Sequence, residues 1–314
     1  CFIIRDSFYL QISSGMVMLV RKIIFMTLLV EFISGTLLAV YFYFKFGPMG
    51  IYLGYWHAVS AFTNCGLDIM GANAGFAKMA ADPFVSTVIV VTMFLGGVGF
   101  MAADDFLRHR SWSGLSLNSK LIFLMEAILI PLGTIIFYNL EGNNPETLGG
   151  LSTMEKWQSA VLMSVSSRLG GFAVFDIHSM LDQTVLLVMM FMFIGAAPVS
   201  TGGGIRTTTI GLLFLSLYAW IRGKKDVVIF HKHVDPDCLV KASNVFTLAV
   251  VITFITAFLV FVFEPMSFDF EDVMFEAVSA FSTVGFSMGL TGEWNTPCKI
   301  VLMIAMYIGR IGVM

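Results

Sequence analysis

The sequence predicts an all-α, polytopic membrane protein built from repeated helix–pore loop–helix units around a central pore. Hydrophobic residues make up 57% of the 314 positions and charged residues only 12%, whereas soluble domains are about half apolar and about a quarter charged. Six long apolar runs follow one another, and a helix needs about 20 apolar residues to cross a bilayer. Shorter segments lie between them and repeat in sequence. We therefore expect neither an enzyme nor a nucleic-acid-binding protein.

The apolar runs and the shorter segments alternate along the chain. The runs lie near 23–46, 84–103, 119–139, 182–219, 239–263 and 297–314. The shorter segments lie near 51–63, 153–167 and 269–281, each before a glycine-containing turn. Their length is typical of re-entrant helices, which enter the membrane without crossing it. The fourth run is too long for one crossing, because the polar, glycine-rich stretch GAAPVSTGGGIRTTT (195–209) interrupts it.

The shorter segments show an internal repeat. HAVSAFTNCG (57–66) and EAVSAFSTVG (276–285) are identical at six of ten positions, and LMSVSSRLGG (162–171) shares the final glycine and the bulky apolar residue after it. The repeat divides the chain into an N-terminal cytosolic segment and three pore units, at 1–22, 23–110, 111–232 and 233–314.

The glycine loops that end these segments fit an ion-selective filter. Irregular backbone at membrane depth is tolerated only where protein buries it or where it lines a water-filled path, and filters replace the water around a cation with backbone carbonyls. The candidate filter residues are Thr63, Asn64, Cys65 and Gly66; Arg168, Leu169, Gly170 and Gly171; and Ser282, Thr283, Val284 and Gly285. They include no carboxylate, which favours a monovalent cation over calcium. The alternative is that the glycines only permit close helix packing.

The distribution of charge predicts the orientation of the chain. With the short segments outside, eleven basic residues lie inside and four outside, as the positive-inside tendency requires. The inner residues are Arg5, Arg21, Lys22, Arg108, Arg110, Lys120, Arg222, Lys224, Lys225, Lys232 and Lys241. The outer segments carry thirteen acidic residues, which either concentrate cations or form an ordinary solvated face.

Three other sequence features do not indicate a functional site. HKHVDPD (231–237) could bind a metal, but it lies in a basic linker without a second cluster, and we interpret it as a solvated loop. GGGIRTTT follows a membrane helix and not a strand, which excludes a phosphate-binding loop. The four cysteines have neither disulfide nor metal-site spacing.

A family resemblance emerges from SAFTNCGLD, FLGGVGF, SSRLGGF, PVSTGGGIRTTT, SAFSTVGFS and MYIGRIG, which together extend along essentially the whole chain. The chain resembles the Trk/Ktr/HKT superfamily of potassium uptake proteins, in particular the membrane subunit of bacterial Ktr systems. The resemblance implies four pore units with one filter glycine each, a homodimer in the bacterial inner (plasma) membrane, and a cytosolic nucleotide-binding regulatory ring.

By this resemblance, Gly66, Gly171 and Gly285 correspond to the filter glycines of the second, third and fourth units. The first unit has no counterpart, so we expect the sequence to be part of a longer protein. Leu169 and Gly170 depart from the family pattern, which usually has a hydroxyl residue and an alanine there.

The resemblance assigns the interrupted stretch as an intramembrane gate; the alternative is a passive helix kink. The gate residues are Gly195, Ala196, Ala197, Pro198, Val199, Ser200, Thr201, Gly202, Gly203, Gly204 and Arg206. It also makes Arg310 a pore-facing charge below the filter, the alternative being a side chain that reaches the inner interface. We expect Arg168 to brace the pore helices, with Glu31 and Glu126 as candidate partners of such a donor.

The expected function is potassium uptake through a channel-like pore. Two alternatives are an alternating-access cation carrier and a membrane anchor for the regulatory ring without transport of its own. Repeats of one orientation favour the pore, because many carriers are built from inverted repeats. The sequence leaves open potassium-over-sodium preference, sodium coupling and the regulatory nucleotide.

Overall fold

The computed structural model describes residues 14–70, 76–224, 226–230, 232–264 and 268–311. Most of the predicted N-terminal segment, with Arg5, lies outside these ranges, as do Lys225, His231 and the last three residues.

The described residues are mostly helical, as the predicted fold class requires. The first six helices are α1 Ser14–Phe46, α2 Met49–Phe62, α3 Ala77–Ala80, α4 Pro83–Gly97, α5 Phe100–His109 and α6 Leu117–Glu141. The next six are α7 Thr153–Ser166, α8 Asp182–Phe193, α9 Thr207–Ile221, α10 Pro236–Phe263, α11 Phe270–Ser282 and α12 Thr296–Ile311. Two short 3₁₀ turns, Ile177–Ser179 and Leu290–Gly292, and a hairpin of β1 Val228–Ile229 with β2 Lys232–His233 complete the elements.

Several of these helices are long and apolar enough to cross a membrane. Within the described ranges, α1 from Val20, α6 and α10 qualify alone, and α4 with α5 makes a fourth, bent candidate. The helices α8 and α9 are apolar but shorter. Large apolar side chains such as Phe44 (84% exposed) and Phe258 (65% exposed) point away from the protein, which lipid tolerates. The chain is thus a polytopic helical membrane protein.

The three short segments form the helices α2, α7 and α11, here called the pore helices. They begin and end within about two residues of the predicted bounds. Ser152 and Glu155 form a capping box at the start of α7, which satisfies backbone donors that a helix start leaves unpaired. The C-terminal half of each pore helix is largely buried, so the loops that follow lie inside the protein.

Two breaks interrupt the apolar runs, and only one was predicted. The helix α8 ends at Phe193 and α9 begins at Thr207, as the stretch 195–209 indicates. The run 84–103 is not one continuous helix, because α4 and α5 meet at an angle of 96°. Gly99 adopts a φ of +87°, and a Cβ there would lie 2.5 Å from the Pro198 carbonyl oxygen. The turn between α4 and α5 therefore leaves room for the backbone of the stretch between α8 and α9.

The predicted solvated loop around HKHVDPD is partly ordered. Val228–Ile229 and Lys232–His233 pair as antiparallel strands, and Val227, Ile229 and Val234 pack in one apolar cluster. Among the residues described, no group of three or more His, Cys, Asp or Glu side chains is placed to hold a metal ion.

Candidate functional site

The three glycine loops meet inside the protein. Gly66, Gly171 and Gly285 have φ angles of +66°, +63° and +97°, in the region that glycine adopts without strain and other residues rarely enter. Each follows the C-terminus of a pore helix by three to five residues. The same backbone turn therefore occurs at the same place in all three units.

Backbone carbonyls converge between these loops. The oxygens belong to the residue before each filter glycine, namely Cys65, Gly170 and Val284. A Cβ on Gly66 would overlap the oxygen of Gly170. A Cβ on Gly171 would overlap the oxygen of Val284, and one on Gly285 would lie 3.3 Å from that of Cys65. Each glycine thus leaves room for a carbonyl of another loop, and the contacts connect all three loops.

One serine on each pore helix holds its loop, a role that the sequence analysis did not assign. The serines are Ser60, Ser166 and Ser279. Their carbonyls accept from the N–H groups of Cys65, Gly171 and Val284 at 3.1, 3.0 and 3.3 Å. Their hydroxyls donate to the carbonyls of Leu67, Phe172 and Phe286 at 2.9, 2.8 and 2.6 Å. The sequence contains a signal for this role, since Ser60 and Ser279 occupy the same position of the repeat and Ser166 lies one residue from it.

The other predicted filter residues differ in their surroundings. Thr63 caps α2 by donating to the Val59 carbonyl at 2.7 Å. Leu169 is 2% exposed and packs against Gly97. Asn64 and Thr283 both have positive φ angles, of 52° each, so the two most similar loops share a second unusual residue. The buried Ser282 and Thr283 hydroxyls, with that of Ser200, make no hydrogen bond within the described protein.

The Arg168 side chain forms a buried ion pair with Glu126. The guanidinium donates to both carboxylate oxygens, at 2.8 and 2.9 Å, and its Nε donates to the Ile194 carbonyl at 3.3 Å. Arg168 is 1% and Glu126 2% exposed. The side chain therefore braces the loop against α6 and the end of α8, which is the bracing expected from the sequence, and selects one of the two candidate partners.

Removing one member of this pair has a predictable cost. We expect Glu126→Ala to destabilise the protein by about 3–5 kcal/mol, because it leaves the Arg168 charge buried without a partner. The double variant Glu126→Leu, Arg168→Met removes both charges and is expected to recover most of the loss. Thermal unfolding of the purified protein in detergent measures both. A single variant as stable as the wild type would contradict the prediction.

The interrupted stretch, here called the intramembrane loop (195–206), lies against the glycine loops and the break between α4 and α5. Its backbone donates from Ala197 to Gly97 at 3.0 Å and from Thr201 to Gly96 at 3.2 Å, and its Val199 carbonyl accepts from Phe100 at 3.1 Å.

The intramembrane loop also touches two filter loops. The Thr201 hydroxyl donates to the Phe62 carbonyl, 2.8 Å away, and lies 2.8 Å from the Asn64 side-chain amide. A Cβ on Gly203 would overlap the Thr283 hydroxyl. The loop is therefore in direct contact with residues that precede Gly66 and Gly285 by two to four positions.

The loop folds back on itself, so that its two ends are adjacent. Ala196 donates to the Gly203 carbonyl at 3.2 Å, and Ile194 and Ile205 form an isolated bridge. Arg206 donates to the Gly202 carbonyl at 2.9 Å. The Arg310 side chain is exposed near the C-terminal end of α12.

Comparisons with known proteins identify the family of this chain. The family described as "TrkH: Cation transport protein" matches residues 8–314. The chain belongs to this family. The TrkH family is one of transporters and not of enzymes, and the family resemblance inferred from the motifs is confirmed.

Individual relatives of this TrkH-family chain are similar over nearly all of its length. It is 33% identical to "Ktr system potassium uptake protein B" of Vibrio alginolyticus over 297 residues, which is 94% of this chain and 64% of the relative. The protein of the same name from Bacillus subtilis (strain 168) is 33% identical over 299 residues, 95% of this chain and 66% of the relative. This chain thus spans about two thirds of the length of these relatives.

A solved structure shows the same fold. The crystal structure of the potassium transporter TrkH from Vibrio parahaemolyticus superposes with a TM-score of 0.72, at 15% identity, over 96% of this chain and 63% of that one. The predicted fold class, a polytopic helical membrane protein with repeated units, is confirmed.

Proposed function

We propose that this protein conducts potassium ions into the cell through a pore whose narrowest part is the ring of glycine loops. The observation that carries the proposal is the convergence of the Cys65, Gly170 and Val284 carbonyls at glycines that have no room for a side chain. Carbonyl rings of this kind replace the hydration shell of a cation. The names of the Ktr relatives support potassium as the ion.

The chemistry of the loops suits a monovalent cation. Their twelve residues contribute carbonyls, hydroxyls and an amide but no carboxylate. The one arginine among them is neutralised by Glu126 and turned away. The membrane potential supplies the driving force, about 2.3 kcal/mol per charge for each 100 mV. Sodium as a coupling ion is part of the same proposal, because carbonyl oxygens also accept sodium.

The intramembrane loop is proposed as the gate of this pore. Its contacts with Phe62, Asn64 and Thr283 support a position next to the filter, on its cytosolic side. By the family resemblance, Arg310 adds a positive charge below the filter, which limits cation occupancy. The relatives are named as proteins of a Ktr system, which supports a partner regulatory subunit. By the family resemblance, this partner is a cytosolic, nucleotide-binding ring that moves the loop, and the membrane subunit is a homodimer. A passive kink explains the break in the helix but not the contacts with two filter loops.

The test is ion uptake by the full-length gene product, expressed with the regulatory subunit of its system in cells that lack other potassium uptake. We expect growth at low external potassium and net potassium uptake that depends on membrane potential. Absence of uptake, with the protein present in the membrane, would favour the anchor without transport. Current through single molecules in a planar bilayer separates a pore from an alternating-access carrier, which turns over too slowly to give one.

A further inference from the structure

The pore-helix position nine residues before the filter glycine carries a charged or titratable side chain in two units. It is His57 before Gly66 and Glu276 before Gly285. Both side chains are buried, with exposed fractions of 0% and 5%. A buried group of this kind is costly unless it is hydrogen-bonded, so its partners indicate its role.

His57 reaches the chain just beyond its own filter glycine. Its Nε2 lies 2.9 Å from a carboxylate oxygen of Asp68, two residues after Gly66, and its Nδ1 lies 2.7 Å from the Leu53 carbonyl. Phe76 stacks on the imidazole, with ring centroids 5.8 Å apart. Both ring nitrogens therefore face acceptor oxygens, and aromatic packing fixes the plane of the ring.

Asp68 is itself anchored. Its carboxylate accepts from the N–H groups of Met70 and Phe76, each at 2.8 Å. Burial alone raises the pKa of Asp68, but the hydrogen bonds from His57, Met70 and Phe76 outweigh this and hold the pKa below its ordinary value. The outer end of this filter loop is thus tied to the middle of α2 through an ionised side chain.

Glu276 makes the equivalent connection with the donor and acceptor roles exchanged. Its carboxylate accepts from the Ser287 hydroxyl at 2.5 Å and from the Met288 N–H at 2.9 Å. Ser287 is two residues after Gly285, the position that Asp68 holds in the other loop. In one unit the acid is on the loop, and in the other it is on the helix.

The third unit has no polar group at either position. Leu162 occupies the pore-helix position and is fully buried, and Ala173 follows Gly171 by two residues. The outer ends of the three filter loops are therefore held by different chemistry, which distinguishes this connection from the serine contact that all three share.

We propose that the His57–Asp68 and Glu276–Ser287 pairs are positioning pairs that set the ion selectivity of the filter. The inference rests on the proposed pore function and names what fixes the carbonyls of two of its loops. The serine contact holds the residue after each glycine, and the positioning pair holds the next one. Together they prevent the outer half of the loop from moving toward or away from the ion. Selectivity depends on the size of the carbonyl cage or on the number of carbonyls around the ion, and both change when the loop moves.

The acid lies on the loop in one unit and on the pore helix in the other, so the pair of one loop can be rebuilt in the other by mutation. His57→Gln and Asp68→Asn each remove the charged hydrogen bond, and the double variant His57→Glu, Asp68→Ser rebuilds in the first loop the pair found in the last. Glu146→Gln, at an exposed outer carboxylate, is the control for loss of negative charge alone. The readout is the ratio of potassium to sodium uptake by the full-length protein with its regulatory subunit, together with the amount of protein in the membrane.

We expect each single variant to lower the potassium-to-sodium ratio about tenfold, the lower end of the losses that follow removal of a group orienting a cation ligand. The double variant is expected to regain most of the ratio, and Glu146→Gln to keep it. A purely structural role would lower uptake of both ions in proportion to the protein. Single variants with an unchanged ratio, or a double variant as impaired as they are, would overturn the inference and leave the pore intact. A wild-type protein without uptake would instead overturn the proposed function and this inference with it.

Discussion

Substituting alanine for Gly171 is expected to abolish potassium uptake. The new Cβ would overlap the Val284 carbonyl oxygen, and the φ of +63° disfavours any residue with a side chain. Gly66→Ala is expected to have the same result, because its Cβ would overlap the Gly170 oxygen. Gly285→Ala should lose less, since its Cβ would lie 3.3 Å from the nearest carbonyl. Uptake rates normalised to protein in the membrane measure all three.

Two glycines outside the filter serve as matched controls. Gly289 has a φ of +85° but open space where a Cβ would lie, so Gly289→Ala has the backbone strain without the overlap. Gly150 has neither constraint. We expect both alanine variants to keep most of the uptake. If Gly171→Ala transports like Gly150→Ala while present in equal amount, the glycine loops are not the filter.

Deletion of Ala196–Gly204 is expected to raise ion flux and to make it independent of the regulatory subunit. The ends of the deleted segment are adjacent, since a Cβ on Gly195 would lie 2.9 Å from the Cα of Gly204. Ile194 and Ile205 also form a bridge, so the two chain ends that the deletion leaves lie next to each other. The deletion removes the Thr201 contact with the Phe62 carbonyl and the Gly203 contact with Thr283. Flux of a potassium tracer into liposomes, with and without the subunit and its nucleotide, measures the effect.

The deletion also tests the passive-kink alternative. A structural kink predicts that the shortened protein fails to fold, because the hydrogen bonds from Ala197 and Thr201 to the end of α4 are lost. The milder variant Thr201→Val keeps the backbone and removes only the hydroxyl contacts, and we expect it to raise basal flux by a smaller factor. A folded deletion variant with unchanged, still regulated flux would contradict the gating role.

The sequence predicts a helix well where the length and composition of a segment allow only one placement in the membrane. Runs such as 119–139 and 239–263 exceed the thickness of a bilayer and became α6 and α10, and segments too short to cross became pore helices. The bend between α4 and α5 was missed because its cause is tertiary. Gly99 turns the chain where Pro198 approaches. The residues on both sides of Gly99 are apolar, so hydrophobicity alone does not distinguish this segment from a continuous membrane helix.

Parts of the candidate site can be inferred from the sequence where backbone geometry demands a particular residue. The three filter glycines and the broken helix follow from glycine and from polar residues in an apolar run. The partner of Arg168 could not be chosen between Glu31 and Glu126, because that choice depends on how α6 packs against α7. The serine contacts and the His57 and Glu276 pairs were visible as repeat positions. Their roles could not be inferred, because these contacts form only when the chain runs back along its own pore helix after each glycine.

The most direct test of a carbonyl filter is the position of a bound cation. Crystals of the full-length protein soaked in thallium or rubidium, which replace potassium and scatter anomalously, locate the ion. We predict an anomalous peak within coordination distance of the Cys65, Gly170 and Val284 carbonyl oxygens, and its loss in Gly171→Ala. Peaks confined to the acidic outer surface, with none between the three loops, would contradict the account.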